Sequence, residues 1–74
     1  MEELNLSDRL RLIAGLIKKG SKVADIGTDH GYLPIFLVKS GITDRVIAMD
    51  VRKGPLKKAE DNTRAFCVSD QIEL

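Results

Sequence analysis

An α/β fold with a parallel sheet, the first half of a Rossmann-like domain, is predicted for this 74-residue sequence on three observations. Short apolar runs alternate with helical patterns in the order helix, strand, helix, strand, helix, start of a third strand. Residues 23–37, VADIGTDHGYLPIFL, pass from a strand through a glycine-bounded polar turn directly into an apolar helix, an arrangement that accepts nucleotide-like ligands. An acidic residue, Asp50, follows the second strand at the edge where such sheets bind their ligands. Right-handed crossovers between the strands predict helices on both faces of the sheet.

Ser7 caps the first helix by accepting a hydrogen bond from a free N–H, and Asp8 suits its first turn. Leu10, Ile13, Ala14 and Ile17 follow at helical spacing, with Leu12 and Leu16 widening the apolar face. Lys18 and Lys19 are placed in the last turn and Gly20 at its stop. This amphipathic pattern predicts packing against a sheet, the other reading being substrate contact by Arg9 or Arg11. The first strand is Val23–Ile26, and the second helix spans Tyr32–Lys39, apolar nearly all round and therefore buried on most sides. Pro34 falls in its first turn, where a missing N–H matters little, and Gly41 ends it.

Residues 45–49 form the second strand, a continuous apolar run of the kind found inside parallel sheets. Gly54 and Pro55 open the third helix, with Pro55 at the first helical position. Leu56, Ala59, Thr63 and Phe66 make its inner face; Glu60 and Arg64 form an i,i+4 pair on the outer one. Residues 71–74 read as a third strand just starting, so residues 1–74 are expected to be the N-terminal part of a larger domain. The strand that would pair with the free edge of the first is then missing, which predicts self-association through that edge.

A chain this short buries only ~60% of its unfolded surface. The net charge of +1 gives no global pull toward nucleic acid or anionic membranes. The densest basic cluster, Arg52, Lys53, Lys57 and Lys58, is either a solvated helix face or a rim for phosphates. One cysteine, Cys67, excludes an internal disulfide and a multi-cysteine zinc site; it is expected to be a small buried hydrophobe. A single histidine, His30, excludes a histidine-cluster metal site. No apolar run approaches the ~18 residues of a membrane span, and MEELNLSDRL is unlike a secretory signal. The chain is expected to be soluble and cytoplasmic.

The ligand edge is built from Gly27, Thr28, Asp29, His30 and Gly31 after the first strand, and Asp50, Val51 and Arg52 after the second. Gly27 and Gly31 allow close approach of backbone to ligand. Asp50 lies a little over 20 residues beyond Gly27, about the separation at which a carboxylate accepts ribose hydroxyls. A dinucleotide loop needs G-x-G-x-x-G, whereas this one reads G-T-D-H-G, with a carboxylate where a pyrophosphate would rest. Asp25, Asp29 and Asp50 together suit a ligand with a ribose, cationic groups and no phosphate, as in S-adenosylmethionine.

The string D-I-G-T-D-H-G-Y-L-P, preceded by S-x-R-L and followed by D-V-x-x-G-P-L-x-x-A, resembles the bacterial tRNA (adenine(22)-N1)-methyltransferase family across essentially the whole chain. The resemblance implies a class I methyltransferase fold, S-adenosylmethionine as cofactor and tRNA as partner. Asp25 and Gly27 would belong to the first cofactor-binding motif; Asp29, His30 and Tyr32 would line the cavity near the methyl group; Asp50 would hold the ribose hydroxyls. Family members continue through further strands and a C-terminal helical region, absent here, so the 74 residues alone are not expected to turn over.

Each residue also has a plainer reading. Asp25 could cap a turn, and Asp29 could be the N-cap of the Tyr32–Lys39 helix. His30 could be a polar cap rather than a proton carrier, and Tyr32 a core residue. Two other functions stand beside the methyltransferase: an NAD-type oxidoreductase fragment, disfavoured by the missing third glycine and by Asp29, and a binding module without catalysis.

Overall fold

The computed structural model describes residues 6–74; the acidic opening of the N-terminus, residues 1–5, lies outside the described residues. Helix α1, Asp8–Gly15, begins as predicted, with Ser7 Oγ accepting from Leu10 N at 3.3 Å. It ends sooner than predicted. Leu16 N and Ile17 N bond back three residues, to Ile13 O (3.1 Å) and Ala14 O (3.2 Å), tightening the end. Gly20, at φ 85°, then donates to Ile42 O at 2.7 Å and steers the chain into the sheet. Lys18 and Lys19 therefore lie in a connecting turn, not a last helical turn. Leu12 and Leu16 face solvent; the buried stripe is Leu10, Ile13, Ala14 and Ile17.

Strands β1 (Val23–Ile26), β2 (Val46–Met49) and β3 (Ile72–Glu73) are all parallel and lie in the order β1-β2-β3. The register sets Ile26 beside Met49, so the carboxyl ends of β1 and β2 are level and the loops that leave them are neighbours. Helices α2 (Tyr32–Lys39) and α3 (Lys53–Ala65) make the two crossovers.

Strand alternation sends Val23, Val46, Ala48 and Ile72 to one face. Ile35 and Val38 of α2, Phe66 after α3 and Val68 pack on that face, and Val23 also meets the cluster joining α1 to Leu33 and Leu37. All three helices thus cover the same side, which corrects the expectation of helices on both faces. Two right-handed crossovers that step in one direction across a sheet place their helices on one side. The opposite face presents Ile26 (82% exposed), Ile47 and Met49 to solvent.

Helix α3 starts one residue before Gly54, with Arg52 at the N-cap. Pro55 is the third helical residue rather than the first, still among the positions whose N–H lacks an intrahelical partner. Its far end is a Schellman motif: Val68 N donates to Thr63 O (2.9 Å) and Cys67 N to Arg64 O (3.0 Å). Cys67 occupies the left-handed position of that motif at φ 60° and is exposed, correcting its assignment to the core. The motif buries Val68 instead. Among the described residues no helix is long and apolar enough to cross a membrane.

Candidate functional site

The turn after β1 alternates left-handed residues: Gly27 at φ 75°, Asp29 at 57° and Gly31 at 78°. Four of its five N–H groups are already engaged. Gly27 N and Thr28 N both donate to Met49 O, at 2.7 and 2.8 Å; Asp29 N donates to Asp50 Oδ2 at 3.0 Å; Gly31 N donates to Thr28 O at 3.0 Å. From the other side Asn62 Nδ2 of α3 holds His30 O at 2.8 Å. Gly31, the N-cap of α2, is packed against α3: a Cβ there would stand 3.1 Å from Ala59 Cβ. Asp29 does not cap α2, because its backbone turns away two residues too early.

Beside this turn lies a cleft of about 430 Å³. Asp25, Gly27, Thr28, Asp29, His30 and Tyr32 line one wall, and Ser7, Arg9, Leu10 and Ile13 of the α1 region line the other. Tyr32 is partly exposed and stacks on His30 with ring centroids 5.8 Å apart, so it belongs to the cleft rather than the core. His30 Nδ1 is 3.2 Å from Asp29 Oδ1, which orients the imidazole. Arg9 reaches the cleft, while Arg11 Nε instead donates to Leu6 O at 3.3 Å. The S-x-R-L spacing carries this wall: Ser7 caps α1 and Arg9 and Leu10 follow on its first turn.

Burial raises the Asp25 carboxyl above the usual carboxylate range, and the nearby Thr28 hydroxyl only partly offsets this. That hydroxyl lies close to Asp25 without meeting the geometry of a formed hydrogen bond. Thr28 Oγ1 is buried with no hydrogen-bond partner among the described residues, so the cleft wall holds unmet bonding capacity.

Asp50 and Val51 are not in that wall. Val51 is fully exposed. The Asp50 side chain is only 2% exposed, at the end of β2 behind Arg52. Its Oδ1 accepts from Arg52 Nε (3.1 Å) and Arg52 N (2.9 Å), and its Oδ2 from Arg52 Nη2 (3.0 Å) and Asp29 N (3.0 Å). The Arg52 guanidinium, then its backbone N–H and that of Asp29, hold the Asp50 carboxyl well below the usual range. The Arg52 pKa is raised in return, chiefly by its hydrogen bond to Asp50. Arg52 also stands 3.8 Å from Asp29. Of the basic cluster, Arg52 is thus tied to this site, and Lys57 pairs with Asp61 on the solvent side of α3 (3.4 Å). No group of metal-ligating side chains occurs among the described residues.

The methyltransferase domain family matches residues 6–74. The tRNA (adenine(22)-N(1))-methyltransferase of Bacillus subtilis (strain 168) is 42% identical over 74 residues, which is all of this chain and 31% of that protein. The solved structure of M. capricolum TrmK in complex with S-adenosyl-homocysteine superposes with a TM-score of 0.88 at 44% identity, covering 92% of this chain and 30% of that one. A ribosomal protein L11 methyltransferase from Desulforamulus reducens is 34% identical over 65 residues, 88% of this chain and 21% of the relative. The chain therefore spans less than a third of the length of each of these relatives. Its fold is the Rossmann-like one of these methyltransferases, and with nearly every residue inside the family match, the chain belongs to the methyltransferase domain family.

Proposed function

We propose that this chain is the N-terminal, cofactor-binding part of an enzyme that methylates N1 of an adenine in tRNA from S-adenosylmethionine. The observation that carries the cofactor class is that the N–H groups of Gly27, Thr28, Asp29 and Gly31 are all engaged within the protein. A pyrophosphate is bound through free N–H groups at such a turn; these four are already taken, leaving those of His30 and the start of α2. Two carboxylates, Asp25 and Asp29, line the cleft instead, and they repel phosphate while attracting ammonium and sulfonium. This disfavours the NAD-type reading. Relatives named for tRNA N1 methylation, and the match of one of them across the whole chain, support the substrate.

In this reading Asp25, Gly27, Thr28 and Gly31 shape the cofactor wall, with Asp50 and Val51 at the ribose end. The bound cofactor supplies an electrophilic methyl group. Adenine N1 attacks with a free lone pair, so the protein needs no strong base, but the ring becomes cationic. Asp29, with an exposed carboxylate at the cleft, stabilises that developing charge. His30 steadies Asp29, and the Tyr32 ring offers a stacking surface to the base. In-line transfer is chiefly a matter of holding the two reactants in line. The protein acts in the cytoplasm, where tRNA is found, and self-associates through the free β1 edge when nothing covers it.

Calorimetric titration with S-adenosylhomocysteine and with NAD tests the cofactor. Binding of the first and not the second is expected, and the reverse refutes the reading. Methyl transfer assayed with tRNA and with ribosomal protein L11, using the protein including any sequence beyond residue 74, separates the two substrate classes of the relatives. Transfer to L11 alone would overturn the tRNA assignment.

A further inference from the structure

A carboxylate has about four lone-pair sites, and Asp50 has four donors on it: Arg52 N, Nε and Nη2, and Asp29 N. No further donor can reach it without displacing one. Two of the four are backbone N–H groups fixed by the chain. The other two are the side-chain fork of Arg52, whose Nε and Nη2 each face a different carboxylate oxygen, at 3.1 and 3.0 Å. Two parallel donors spaced to meet two carboxylate oxygens are also what a ribose 2′,3′-diol presents. The fork is the replaceable half of the set, because the Arg52 side chain is 60% exposed on a flexible stem. It also has a second carboxylate within reach, Asp29, at 3.8 Å.

We infer that Arg52 is a built-in competitor for the ribose: its guanidinium occupies the diol-binding face of Asp50 and leaves for Asp29 and solvent when cofactor enters. The inference rests on the cofactor reading above and deepens it, since it assigns the control of affinity to a residue outside the cleft. It follows that the free protein holds its ribose acceptor ionised and shielded, and that part of the binding free energy goes into breaking the Arg52–Asp50 pair. Pairs with one exposed partner are weak, so the effect is modest and salt-dependent.

The test is titration of S-adenosylhomocysteine, whose neutral sulfur avoids a general charge effect, into the wild type, Arg52→Ala and Arg52→Met. Methionine keeps an apolar stem, and thermal melts of both variants verify folding. Both variants are expected to bind about three- to fivefold tighter at low salt, the range an exposed ion pair supplies, and the gain shrinks as salt rises. The gain should vanish for the 2′,3′-dideoxy analogue of methylthioadenosine, which lacks the diol. Equal or weaker binding by the variants, or a gain that persists without the diol, overturns the role of Arg52 and leaves the cofactor reading standing. Absence of binding by wild type and variants alike refutes the cofactor reading itself, and the inference with it.

Discussion

At the scale of single residues, two neighbouring aspartates are driven in opposite directions by their surroundings. Asp50 is lowered because Arg52 and two backbone N–H groups bind its charged form. Its folded pKa lies below the unfolded value of about 3.9. Its stabilising contribution is therefore complete above about pH 4 and is lost as pH falls toward the lowered folded value. Asp25 is raised by burial, so it costs stability at neutral pH and ceases to do so as pH falls below its unfolded value. Urea unfolding at pH 7 and near pH 3 should show Asp25→Asn stabilising at the higher pH and nearly neutral at the lower. Asp50→Asn should destabilise at pH 7, with the loss fading in acid. A destabilising Asp25→Asn at pH 7 would mean that burial does not govern that site. Asp50 also anchors Asp29 N, so it clips the turn, and its removal loosens the left-handed Asp29. Gly31 carries a double constraint, a φ of 78° and the close approach of Ala59. Gly31→Ala should cost about 2–3 kcal/mol, combining left-handed strain with a mild overpacking, read as a lowered denaturation midpoint. Retention of the wild-type midpoint would show that α2 and α3 can separate there.

At the scale of elements, the ends of helices are set by what they meet. α1 stops at Gly15 because a tightened turn and the Gly20–Ile42 hydrogen bond lead the chain back to β1. The local pattern, apolar residues followed by two lysines and a glycine, gave no sign of this, since the deciding partner lies more than twenty residues away in sequence. α3 ends in a Schellman motif whose left-handed position holds Cys67 rather than glycine. Cys67→Gly removes a left-handed penalty of ~1–2 kcal/mol and adds unfolded-state entropy, for a net gain of about 0.5–1 kcal/mol. Thermal unfolding checks this, and a lowered melting temperature would show that the cysteine side chain makes a contact of its own.

At the scale of the whole molecule, the sheet is finished on one face and open on the other. Ile26, Ile47 and Met49 form an apolar surface, and β1 is paired on one side only among the described residues. An exposed apolar strand with an unpaired edge is a template for association. Sedimentation of the 74-residue chain should show weight-average mass rising with concentration, and Ile26→Lys, which places a charge on the edge strand, should reduce it. A monomer at all concentrations would remove self-association from the reading.

Much of this was legible in the chain itself. Periodicity and punctuation separated three helices from three strands, because local backbone preference and apolar spacing act over a few residues. The string from Asp25 to Pro34 carried the ligand turn and the family resemblance for the same reason: its glycines and carboxylates are contiguous. Only the tertiary structure decided that the three helices share one face, that Ser7 and Arg9 form the opposite wall of the cleft, and that Asp50 is already occupied by Arg52. Those facts depend on crossover direction, on register between β1 and β2, and on a side-chain fork meeting a carboxylate in space. None of these is written in the spacing of residues along the chain.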